Sequence, residues 1–204
     1  MKENINLLFF GAIAALGALF IELLLNFALP GETDLSEINF LLIMFVLIEE
    51  LAKFSIIYKI SDPAISCRQM FKNSFLIGLG FALMEISLLY LGDIVSRENI
   101  LPALIGILSV HISTSLFLGF FIYKQTRLGL TAPGIILFTT ILHLAYNGMI
   151  LHSISIWIIV FYFLTLLFII LFGFHRLRKN NYFSMRKCPS DLRVKQAPKR
   201  KNIV

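Results

Sequence analysis

The chain has 204 residues, 58% of them hydrophobic and only 15% charged, with a mean hydropathy of +0.84. Soluble domains carry about 45–50% apolar residues, so the composition excludes an ordinary soluble globule and points to an all-α, polytopic membrane helix bundle. The formal net charge of +6 gathers at one end of the chain, which ties it to topology and the membrane surface; no nucleic-acid partner is expected.

A membrane-spanning helix needs about 17–25 apolar residues. Six segments qualify: Leu7–Leu29, Asn39–Tyr58, Phe75–Leu91, Leu101–Tyr123, Ala132–Leu151 and Ile154–Phe174. The first follows a short polar lead and is longer than the roughly 7–15 apolar residues of a signal peptide, so it is expected to be retained. Pro30-Gly31 stops it. Gly78 and Gly80 in the third segment would let another helix approach closely. Pro102 and Pro133 stand where a first helical turn tolerates proline. Residues 1–174 form one membrane domain in this reading. Residues 175–204 form a basic, disordered tail suited to anionic lipid headgroups.

Lysine and arginine positions set the orientation. Lys2, Lys59, Arg68, Lys72, Lys124, Arg127 and the tail hold 16 of the 18 basic residues, all on one side of a six-span arrangement. Only Arg97 falls on the other side, where Glu32, Asp34 and Glu37 lie. Both termini are therefore expected in the cytoplasm of a multi-pass cell-membrane protein. Cys67 and Cys188 would then be free thiols in a reducing compartment.

The second span carries Glu49, Glu50 and Lys53 near its middle. A charge at the centre of a bilayer costs about 2.5–3.5 kcal/mol on insertion scales, so these groups should face protein, metal or water. Glu85, His111 and His143 lie at matching depth in the next three spans, ten or eleven residues from each span's start. At about 1.5 Å per residue this is roughly 15 Å, the midplane of a core about 30 Å thick. Glu49 and Lys53 are i,i+4, as are His143 and Asn147, so each pair shares a helix face. Ser115 is i+4 from His111, with Ser113 nearby. Glu22, in the first span, is read as an interhelical hydrogen-bonding or interfacial group.

Carboxylates, imidazoles and a carboxamide at one level suit hydrolysis. Water attack on a peptide needs a general base and donors for the developing oxyanion. Two histidines with a glutamate also suit zinc with an open position; that set would be Glu85, His111 and His143. The H-E-x-x-H spacing of common metalloproteases is absent, as is any Gly-flanked serine of the G-x-S-x-G type.

Glu49-Glu50-x-x-Lys53, Phe81-x-x-x-Glu85, an isolated His111 and His143-x-x-x-Asn147, one per consecutive span, resemble the four motifs of PrsW-type intramembrane proteases. These belong to the clan of CAAX-prenyl proteases and bacteriocin-immunity proteins. The resemblance covers about residues 40–149. It implies that Glu49 is the general base with Glu50 as its partner. Glu85 and His111 would hold the water, His143 and Asn147 would form the oxyanion site, and Lys53 would orient the glutamates. It also implies a single-span membrane-protein substrate, such as an anti-sigma factor. The family has been described as glutamic, needing no cofactor, and as metallo-type, with zinc. An ion-coupled transporter and a non-catalytic scaffold or immunity protein are the readings from other classes.

Overall fold

The computed structural model describes residues 2–28, 40–61, 65–91, 100–128, 132–152 and 154–185. They form six α-helices: α1 Lys2–Ala28, α2 Phe40–Ile60, α3 Cys67–Leu91, α4 Ile100–Leu128, α5 Ala132–Leu151 and α6 Ile156–Met185. Among the described residues there is no strand. The protein is an all-α membrane bundle. Four stretches are long and apolar enough to cross a bilayer: Asn4–Ala28, Cys67–Leu91, Ala103–Tyr123 and Ala132–Leu151. The other two helices miss on different grounds. α2 has the length, at 21 residues, but holds Glu49, Glu50 and Lys53 in its middle. α6 offers an apolar stretch of 17 residues, Trp157–Gly173.

Successive helices run in alternating directions. One apolar layer joins Leu7 near the start of α1, Ile57 near the end of α2, Met70 and Ile77 early in α3, Leu118 and Ile122 late in α4, and Ile135 early in α5. The helices outrun the expected spans at this same end, where the basic residues lie. α3 starts eight residues before Phe75, and α4 passes Tyr123 to end at Leu128. Ser66 begins α3 early, because its hydroxyl accepts from Gln69 N at 3.1 Å as an N-cap. The segment from 67 to 73, which lies before the expected third span, is therefore helix. α6 likewise continues through His175 to Met185, so the expected tail begins as helix. Residues 186–204, Cys188, Arg97 and the acidic connection after α1 lie outside the described residues. Cys67 is a free thiol.

α4 is the central helix, packing on α2, α3, α5 and α6, while α1 covers α2 and α3. In lipid no hydrophobic force draws apolar helices together, and close approach through small residues takes its place. A side chain at Gly80 of α3 would collide with the Leu8 carbonyl of α1, and one at Gly11 of α1 with the Ile77 carbonyl of α3. A side chain at Gly78 would meet the His111 carbonyl at 2.7 Å and the Ser115 hydroxyl at 2.8 Å, so α3 also lies close against α4. Large apolar side chains of α1 and α6, such as Phe20, Phe27, Phe161 and Phe168, point outward, as a lipid-facing surface requires.

Candidate functional site

The polar groups meet where α2, α3, α4 and α5 converge. Lys53 of α2 sits at the centre with no solvent exposure. Its Nζ donates to Glu50 Oε1 at 2.5 Å and to Thr114 Oγ1 at 2.8 Å, and lies 3.3 Å from His111 Nδ1. An ammonium has three protons and no acceptor, so the three contacts use all of them and make His111 Nδ1 an acceptor. The other nitrogen, Nε2, then carries the proton and donates to Glu85 Oε2. Lys53 also lies 5.2 Å from the centre of the Phe81 ring, a cation–π distance. The same ring packs on His111 at 4.8 Å and closes that side with apolar surface.

Glu50 Oε1 accepts a second bond, from His143 Nδ1 at 2.9 Å. A neutral His143 that donates from Nδ1 keeps Nε2 as a free acceptor. Its ring stands edge-on to His111, with centres 5.1 Å apart. Glu49 Oε2 lies 3.5 Å from His143 Nδ1, too far for a hydrogen bond, and has no hydrogen-bond partner among the described residues. The two adjacent glutamates thus differ in kind. Glu50 is fully buried and held by Lys53 and His143, whereas Glu49 keeps 18% of its side chain exposed and Glu85 keeps 33%.

Six of the seven residues expected from the sequence are joined in one chain of contacts, Glu85–His111–Lys53–Glu50–His143–Glu49. The seventh, Asn147, is half-buried one turn beyond His143. Its carboxamide bonds to none of the described residues and is free to meet a ligand. Lys53 pairs with Glu50 at i,i+3, not with Glu49 at i,i+4 as the shared-face argument suggested. Glu50 is the carboxylate that faces the other helices, and burial draws the ammonium to it. Ser115 packs against Gly78 and makes no hydrogen bond among the described residues.

Two residues join the site that its sequence motifs leave out. Thr114 lies three positions after His111 on α4, a spacing that puts both on one face. Glu22 of α1 comes within electrostatic range of Glu85 and Glu49, and its Oε1 is buried without a hydrogen bond among the described residues.

Among the described residues, the donor atoms that could hold a metal are those of Glu49, His111 and His143, all within 4.8 Å of one another. Glu85, expected in that set, bonds to His111 instead. Two imidazoles and a carboxylate are the right donor types for zinc, and His143 Nε2 is free to bind. Both nitrogens of His111 are engaged, by Lys53 and Glu85, so binding there would displace one of them.

No protein family, curated protein or solved structure matches the chain.

Proposed function

We propose that the protein is an intramembrane endopeptidase that cuts a membrane-protein substrate with glutamate-activated water. One observation carries this reading: beside a buried network that engages Glu50 Oε1, Lys53, His111 and His143, Glu49 Oε2 has no hydrogen-bond partner among the described residues, while the Glu49 side chain keeps 18% of its surface exposed. Buried polar groups are normally paired. An unpaired carboxylate 3.5 Å from the ring of His143, whose Nε2 is left without a proton, is an arrangement that water activation can use.

In this mechanism His143 Nε2 and Glu49 hold the water between them. Glu49 takes one proton as the water oxygen bonds to the scissile carbonyl carbon. The Asn147 amide donates to the resulting oxyanion, since His143 has its only ring proton on Glu50. Glu49 then passes its proton to the peptide nitrogen as the carbon–nitrogen bond breaks. The new carboxyl group loses its own proton to solvent. Glu50 and Lys53 stay ion-paired throughout and keep His143 in the required tautomer.

The helical alternation and the basic end of the bundle support a multi-pass cell-membrane protein with six spans and cytoplasmic termini. A single-span protein, such as an anti-sigma factor, is the substrate that the PrsW-type motifs suggest. Anionic lipid headgroups are the partners that the basic C-terminal segment suggests.

A zinc-dependent version is the second reading, favoured by the convergence of Glu49, His111 and His143. Zinc held there would supply Lewis-acid polarisation of the water or carbonyl.

The test is cleavage of a panel of single-span membrane proteins by detergent-purified protein, with and without chelator, alongside its metal content. Metal-free, chelator-resistant cutting that Glu49→Gln abolishes is the expected result. Stoichiometric zinc with chelator-sensitive cutting would replace it with the second reading. No cutting of any substrate would overturn both in favour of a transporter or scaffold.

A further inference from the structure

Lys53 is buried, charged and attached by a flexible four-carbon stem. Glu50 alone does not fix where its ammonium points. Two contacts from α4 do: the His111 ring, and the Thr114 hydroxyl at 2.8 Å. Thr114 is itself 1% exposed, and its hydroxyl donates back towards the His111 carbonyl at 3.5 Å. The hydroxyl accepts from the ammonium at 2.8 Å, and its own proton turns away from the ammonium towards that carbonyl.

We propose that Thr114 is a positioning residue of this site. It fixes the Lys53 ammonium, which in turn holds Glu50 on His143 and sets the proton of His111 on Nε2. Without the hydroxyl, a buried ammonium proton has no acceptor, and the head group shifts to find one. His111 Nδ1 and Glu50 Oε1 are the groups it disturbs, and through Glu50 the disturbance reaches His143. Thr114 touches no reacting atom in this scheme. Its effect is on the geometry of those that do.

The kinetic half of the test rests on the protease reading above, and the spectroscopic half does not. Thr114→Val keeps the shape and removes the hydroxyl; Thr114→Ser keeps the hydroxyl and removes a methyl. On a cleaved single-span substrate, Thr114→Val should lower kcat by about 10- to 100-fold, the loss expected for a hydrogen bond to a charged group, with KM unchanged. Thr114→Ser should restore most of kcat. In protein labelled with 15N-histidine, Thr114→Val should move the ring-nitrogen resonances of His111 and His143, and Thr114→Ser should return them. A Thr114→Val protein with wild-type kcat, or with unmoved ring resonances, would overturn the proposal. So would a Thr114→Ser protein as defective as Thr114→Val, since the defect would then lie in packing. If wild-type protein cuts nothing, the protease reading falls, and the ring resonances alone decide whether Thr114 aims Lys53.

Discussion

Two sides of one site differ in what they are built to do. The closed side holds Glu50, Lys53, Thr114 and His111, all buried, with each Lys53 proton directed to a named acceptor. The open side holds Glu49, Glu85 and Glu22, each with exposed surface; among the described residues Glu49 Oε2 and Glu22 Oε1 lack a hydrogen bond, as does Glu50 Oε2 on the closed side, whose Oε1 takes both Lys53 and His143. The closed side comes from α2 and α4 and the open side from α1, α2 and α3, yet Glu49 and Glu50 are neighbours on α2. The difference teaches that membrane burial alone does not decide the role of a charge. A charge surrounded by partners holds structure, whereas a charge left without them at an opening is available for chemistry.

The most direct way to break this comparison is to neutralise each glutamate in turn. Glu49→Gln should lower cleavage by about 10²–10⁴-fold, the range for a lost general base. It should leave thermal stability in detergent unchanged, because Glu49 Oε2 makes no hydrogen bond among the described residues. Glu50→Gln should also stop cleavage, but it should lower stability as well. Equal stability of the two variants, followed by thermal unfolding in micelles, would show that the two sides do not differ.

The comparison is sharpened by removing the counter-charge. Lys53→Met leaves Glu50 buried and unpaired, and breaking a buried pair from one side costs about 3–5 kcal/mol. Glu50→Gln leaves the reverse imbalance. The double variant Lys53→Met/Glu50→Gln removes both charges and should recover most of the lost stability, though not activity. Denaturant unfolding of the four proteins in mixed micelles measures the coupling. Simple additivity would mean that the pair contributes no mutual stabilisation.

Much of the site was legible in the sequence because it depends on depth. Counting residues from span starts put Glu49, Glu85, His111 and His143 at one level, and helical rise makes that inference robust to a one-turn error. Which group bonds to which was not legible. Lys53 reaches either glutamate by spacing alone, and the choice of Glu50 follows from the direction in which α2 faces α4 and α5. Thr114 carried little signal, since a threonine inside a helix usually bonds its own backbone. Glu22 fell outside every motif, and only the packing of α1 on α2 and α3 brings it near Glu85. The early start of α3 is hidden from an apolar-span reading because its first turns, through Asn73 and Ser74, are polar although buried. The cap at Ser66 was the available sign.

The smallest expected effect lies outside the site and tests where it ends. Tyr162 of α6 donates its hydroxyl to the Leu142 carbonyl of α5 at 2.8 Å, one residue before His143. Interhelical hydrogen bonds in membrane proteins average about 0.6 kcal/mol, so Tyr162→Phe should cost about that much stability. The α5 backbone at this point is already fixed by its own helical hydrogen bonds and by packing on α2 and α4. Cleavage should therefore stay close to wild type. A large loss of cleavage with the small stability change would mean that α6 holds His143 in register. The closed side would then extend across α5 to the last helix of the bundle.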